Sequence, residues 1–178
     1  MNENKNKIYD EAWCKKAGDL LSQQLSLEFQ AFYFYTECYA YFASRKVALK
    51  GLASFYKHQF EDELKHAKMI MDFMIKRGFS INLVPIKTQI FDAFKTPMDI
   101  LKFSKEYEEK VMANLNYISY YADKEGDLTI CQFLEDFLKT QVEEIYEFNE
   151  LYVNAKRCAE EQTMFLFDDA LYNKLHKK

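Results

Sequence analysis

Glu63 and His66, within the stretch FEDELKHA (60–67), stand three residues apart in a helical pattern, at positions where that pattern calls for Leu or Ile. On a helix, side chains at i and i+3 reach the same point beside the axis. Three further acids occupy equivalent places. Reading the chain in alternating steps of four and three gives one seam per long segment: Leu21, Leu25, Glu28, Phe32, Tyr35, Tyr39, Phe42; then Leu52, Tyr56, Gln59, Glu63, His66, Ile70, Phe73; then Leu101, Ser104, Glu108, Val111, Leu115, Ile118, Ala122; then Leu134, Phe137, Gln141, Glu144, Phe148, Leu151, Ala155. Each seam is apolar except near its middle, and each interruption includes a glutamate.

A lone buried carboxylate is costly or stays protonated, and four together repel one another and raise each other's proton affinity. The seams contain no Lys or Arg to offset them. Metal cations are the natural remedy. Glu28, Glu63, His66, Glu108 and Glu144 make a donor set of oxygens with one imidazole and no thiolate, suited to a pair of iron or manganese ions. A single seam glutamate is ordinarily a partly exposed residue or a register device, and one Glu-x-x-His on a helix is common by chance. Four coincident acids point to metal. Phe32, Tyr39, Phe42 and Phe148 read as packing. Tyr35, about 10 Å along the helix from Glu28, either packs the core or offers its phenol to a ligand or as an electron donor.

These residues need long helices to hold them. The chain of 178 residues has only 4 Gly and 2 Pro to interrupt it. Helical segments are predicted over about 10–42, 46–76, 97–125, 128–159 and 162–175, in one all-α domain spanning 1–178. The stops and starts carry a mechanism: Arg77-Gly78 is a basic last turn with a glycine C-cap, Thr96-Pro97 an N-cap with proline at the first helical position, and Asp127 an N-cap. Segments one and two, and three and four, have short links and so form antiparallel pairs. The 17 residues Phe79–Lys95 can span over ~50 Å, enough to run the length of a ~42 Å helix. The expected fold is a four-helix bundle with a long crossover between helices two and three and a short fifth helix.

Composition narrows the functional classes. Apolar residues are 49% and charged residues 29%, with a net charge of −4. Basic residues form no stripe, so nucleic acid is not an expected partner. No apolar run approaches the ~18 residues of a membrane span. The opening stretch MNENKNKIYDEAW lacks an apolar core, and Cys14, Cys38, Cys131 and Cys158 form no C-x-x-C. A cytoplasmic protein with reduced thiols is the expectation.

From about Ala17 to Leu171 the chain resembles the ferritin family. LSLEFQAFYFY looks like the family's first ligand glutamate followed seven residues later by its tyrosine. EDELKHA looks like its second-helix E-E-x-x-H element, with Asp62 in place of the first acid. EYEEKV puts Glu108 at the third-helix glutamate, DLTICQFLEDFLKTQVEE is similar to the start of the fourth helix, and TMFLFDDAL to the short helix that lines a four-fold pore. The resemblance implies a ferroxidase. One iron would be held by Glu28, Glu63 and His66, and a second by Glu63, Glu108 and Glu144, with Glu63 bridging. Fe(II) would be oxidised by O2 or H2O2 and passed as Fe(III) to a mineral core inside a 24-subunit homo-oligomeric cage. It also implies accessory iron positions at Asp62, Gln141 and Glu143, and a three-fold pore involving Cys131 and Glu135.

Some positions depart from the family's branches. Thr140 stands where the bacterial branch adds an acid to its third site. Lys65 and Lys68 replace cavity-facing acids of animal chains, and Gln132 replaces an animal pore Asp. Glu147, where haem-binding relatives have His, and Leu64, where they have Met, lead to an expectation of no haem. The alternatives are a rubrerythrin-type di-iron peroxidase, although that group's paired C-x-x-C motifs are missing here, and a catalytically weak structural cage subunit.

Overall fold

A computed structural model describes residues 10–86, 94–158 and 160–177. Residues 1–9, crossover residues 87–93, Ala159 (the expected end of the fourth helix) and Lys178 lie outside the described residues. The elements are α1 (Glu11–Ala43), α2 (Lys50–Arg77), α3 (Pro97–Lys124), α4 (Leu128–Arg157) and α5 (Glu161–His176). No strand occurs among the described residues, and no described helix is long and apolar enough to cross a membrane. α1 packs along α2 and α3 along α4, with α1 also against α3; α5 rests mainly on α2. The result is two hairpins joined by the long link.

The stop and start signals act as their residue types require. Gly78 ends α2 in the left-handed conformation, φ 69°, which costs glycine little. Thr96 and Asp99 close a reciprocal capping box with Pro97 in the first turn. Asp127 caps α4, accepting from the Ile130 N–H at 3.2 Å. It also accepts from the Trp13 indole at 3.0 Å and from both Arg77 guanidinium nitrogens at 2.7 and 3.1 Å. Burial opposes its charge, but Arg77, Trp13 and the Ile130 N–H outweigh burial and hold the carboxyl below the usual range. One side chain therefore pins α1, α2 and α4 at the same end of the bundle. Near the other end, Tyr35, Phe42, Phe55, Tyr56 and Phe148 form a buried aromatic cluster. The beginning of the crossover is tied to α1: Asn82 donates its N–H to Ser22 Oγ at 3.0 Å and its side-chain amide to Asp19 at 3.2 Å.

The second helix begins at Lys50, not near residue 46. Residues 44–49 instead form a tight reversal in which Ala48 N–H bonds Ser44 O, Leu49 N–H bonds Phe42 O, and Ala48 has φ 52°. A left-handed residue cannot continue an α-helix. Leu49 has no capping side chain. The cap comes from far along the chain: buried Asp168 of α5 accepts from Gly51 N–H at 3.0 Å and Leu52 N–H at 2.8 Å. A Cβ on Gly51 would lie 2.1 Å from Asp168 O, so glycine is what lets α5 approach. Asp168→Ala is expected to cost about 1–2 kcal/mol, the usual worth of an N-cap, lowering the melting temperature by a few degrees and exposing α5 to limited proteolysis. Unchanged melting and cleavage would contradict this latch.

Candidate metal centre

The bundle brings seven seam residues toward one another. Glu28 and Tyr35 come from α1, Glu63 and His66 from α2, Glu108 from α3, and Gln141 and Glu144 from α4. Glu28 and Glu63 are each 2% exposed and Glu108 1%. His66 Nδ1 lies 3.7 Å from both Glu28 Oε2 and Glu63 Oε2, and His66 Nε2 lies 4.0 Å from Glu144 Oε1. One donor atom each from Glu28, Glu63 and His66 fall within 4.8 Å of one another, a spacing that can hold a metal ion.

Hydrogen bonds divide the acids unequally. Glu108 is fully engaged: the Tyr35 hydroxyl donates to its Oε1 and the Gln141 amide donates to its Oε2 at 2.6 Å. Glu28 Oε1 accepts one bond, from Gln24 Nε2 at 2.6 Å. Among the described residues, Glu144 Oε2 is buried with no partner. An unsatisfied buried carboxylate oxygen is expensive, and its position beside the other acids suits a cation.

The electrostatics point the same way. Burial, then the charge of Glu63, pushes the Glu28 carboxyl well above the ordinary range. Burial and then Glu108 do the same to Glu63. Burial raises Glu108 to about 7 although Tyr35 and Gln141 stabilise its anion. Glu144 rises to about 8, through burial and then Glu108. Without metal, the cluster therefore holds protons at neutral pH. Divalent cations would replace those protons and let the carboxylates ionise together. The donor set thus fits iron or manganese.

Tyr35 is fully buried and its phenol is raised by burial and by Glu108, so it keeps its proton and acts as a donor. Gln141 lies inside the cluster as a donor to Glu108. The other positions singled out in the sequence sit apart. Asp62 pairs with Lys65 at 2.6 Å and, with exposed Glu143, lines a cleft of about 440 Å³ that reaches Glu144. Lys65 and Lys68 are exposed. Cys131 is half-buried, and Glu135 is exposed and paired with Lys139 at 2.8 Å.

Two residues of the network escaped the sequence reading: Gln24, which holds Glu28, and Asn114, whose amide donates to Gln24 Oε1 at 2.7 Å. Gln24 sits four residues before Glu28, a spacing that places both on one helix face and could have flagged it. Asn114 is 90 residues away in the chain and carries no such local signal.

A family model described as the ferritin-like domain matches residues 18–158, a span that contains every residue of this centre. The chain is 32% identical over 149 residues to soma ferritin of Lymnaea stagnalis, covering 83% of this chain and 86% of that one. It is 31% identical over 160 residues to chloroplastic ferritin-3 of Glycine max, and 30% identical over 166 residues to chloroplastic ferritin-1 of Pisum sativum. These alignments span 61% and 64% of the plant chains. The chain belongs to the ferritin family.

The raised carboxyls make metal-free stability depend on pH with a definite sign. Between the ordinary carboxyl value of 4.5 and about 8, the folded state binds more protons than the unfolded chain. Stability is therefore fully present below about 4.5 and is lost as pH rises through 7 to 8. Glu144→Gln, which keeps the shape and removes the charge, is expected to raise the melting temperature of chelator-treated protein at pH 8 by several degrees and to leave it near wild type at pH 5. Saturating Mn(II) is expected to flatten the wild-type dependence. Calorimetric scans giving parallel pH profiles for wild type and variant would contradict the electrostatic account.

Proposed function

We propose that the chain is an iron-storage subunit that oxidises Fe(II) as its substrate. One Fe(II) occupies the side formed by Glu28, Glu63 and His66. A second occupies the side formed by Glu108 and Glu144, with Glu63 between the two. The observation that carries this reading is that Glu28, Glu63 and His66 each present a donor atom within 4.8 Å of one another, with Glu144 beside His66 and one of its oxygens lacking any partner among the described residues. Membership of the ferritin family supports iron as the metal.

Each of the chain's own groups has a task in this reaction. Glu28, Glu63, Glu108 and Glu144 give up the protons that burial makes them hold and supply negative charge to two cations. His66 completes the first position. Tyr35 and Gln141 keep the Glu108 carboxylate oriented from opposite oxygens. Two Fe(II) ions surrender one electron each. With O2 and two protons the products are two Fe(III) and H2O2; with H2O2 and two protons they are two Fe(III) and two waters. The bundle contributes position and charge, as in other paired-metal sites.

Release of Fe(III) is proposed through the cleft bordered by Asp62, Glu143 and Glu144, toward a mineral core. Asp62, Gln141 and Glu143 serve as accessory iron contacts on that route, and Cys131 and Glu135 contribute to an entry pore. A homo-oligomeric cage of 24 subunits is supported by family membership and by α5, whose Asp168 latch fixes it on the bundle. A reducing, cytoplasmic setting is proposed from the sequence, whose four cysteines form no C-x-x-C pair.

In stopped-flow measurements of Fe(II) oxidation by O2, Glu63→Ala and His66→Ala are each expected to slow the initial rate by at least about tenfold, since losing even a group that only orients a metal ligand costs about that much. Wild-type rates in both variants would overturn the assignment. Light scattering is expected to report a single high-mass assembly; a stable monomer or dimer would overturn the cage.

A further inference from the structure

We infer that Gln24 and Asn114 form a two-residue clamp that leaves Glu28 a single oxygen with which to bind metal. The inference rests on the reading of the centre as a metal site, and goes beyond it to how one ligand is aimed. Gln24 is fully buried in α1. A side chain kept there for packing alone would more naturally be apolar, since a buried amide costs free energy unless its groups are paired. Both ends of this amide are paired. Its Nε2 donates to Glu28 Oε1 at 2.6 Å, and its Oε1 accepts from Asn114 Nδ2 at 2.7 Å.

The order of donors is dictated by chemistry. A carboxylate in a metal site only accepts, so Gln24 must present its NH2 group to Glu28, leaving its carbonyl for the NH2 group of Asn114. Without Asn114 the amide is free to turn over and place its carbonyl against the carboxylate, acceptor against acceptor. Asn114, from α3, therefore positions Gln24, and Gln24 positions Glu28. A cation approaching Glu28 Oε1 meets an N–H dipole of its own sign. Binding is directed to Oε2, the atom already 3.7 Å from His66 Nδ1. Asn114 is half-buried and lines a cleft of about 780 Å³ between α1 and α3, so the clamp reaches from that cleft to the centre.

Gln24 and Asn114 are thus positioning residues, and cobalt reports on them without turnover. The test is Co(II) titration by calorimetry, with the visible absorption of bound Co(II), on wild type, Gln24→Leu, Asn114→Ala and the double variant, each checked for native helicity. The first-site affinity is expected to fall about tenfold in each single variant, as for loss of a group that orients a ligand. The molar intensity of the Co(II) bands is expected to drop as Glu28 becomes free to bind through both oxygens, since coordination number governs that intensity. If Asn114 acts only through Gln24, the double variant binds no more weakly than Gln24→Leu. Should Gln24→Leu fail to fold, Asn114→Ala, at a half-buried position, still decides the matter. Wild-type affinity and spectrum in the single variants, or additive losses in the double, would overturn the clamp while leaving the centre intact. Wild-type protein that takes up no Co(II) would overturn the centre and the clamp together.

Discussion

Four carboxyl groups placed in the dry middle of a helix bundle cannot all be ionised unless positive charge lies among them. That constraint organises the molecule. The seams are apolar above and below the acids, so Glu28, Glu63 and Glu108 are shielded from solvent and each charge is felt by the others at low effective dielectric. Among the described residues, the basic side chain within ion-pair distance of the acids is His66. One imidazole cannot offset four carboxylates. The fold therefore carries a proton-holding cluster; in the proposed function divalent cations would replace those protons, linking stability, pH and metal in one equilibrium.

The surroundings of the acids are graded. Among the described residues, Glu108 accepts on both oxygens, Glu28 accepts from Gln24 on Oε1 and shares a hydrogen bond with the Glu63 carboxyl, and Glu144 Oε2 has no partner. Groups with more donors are held more firmly, whereas the one without is the most readily moved. The structural anchors lie away from the centre. Asp127 ties three helices at one end, and Asp168 caps α2 from α5. These two acids are satisfied by N–H donors and need no metal. The same side-chain chemistry thus serves as a structural anchor at the helix ends and gathers, at the middle of the bundle, into the cluster proposed to bind iron.

Much of this was legible in the chain before any coordinates. Thr96-Pro97, Arg77-Gly78 and Asp127 mark helix ends because capping is local chemistry, complete within a few residues. The seam acids were legible because a period of three and four residues on a long helix leaves little choice of face. The start of α2 was not, because it depends on a left-handed Ala48 and on a capping carboxylate more than a hundred residues away. Asn114 was missed for the same reason: its partner is on another helix, and no spacing rule connects them. Local signals reveal where elements begin and which face is buried, while contacts between distant elements decide which polar groups support a site.

The central claim is that the acids converge to hold a pair of iron ions. Crystals grown without metal, soaked anaerobically in Fe(II) and measured on both sides of the iron absorption edge, test it most directly. The account predicts two anomalous peaks inside each bundle, one in bonding contact with Glu28, Glu63 and His66, the other with Glu63, Glu108 and Glu144. Iron found only on exposed surface acids, with the interior of the bundle free of anomalous signal, would contradict it.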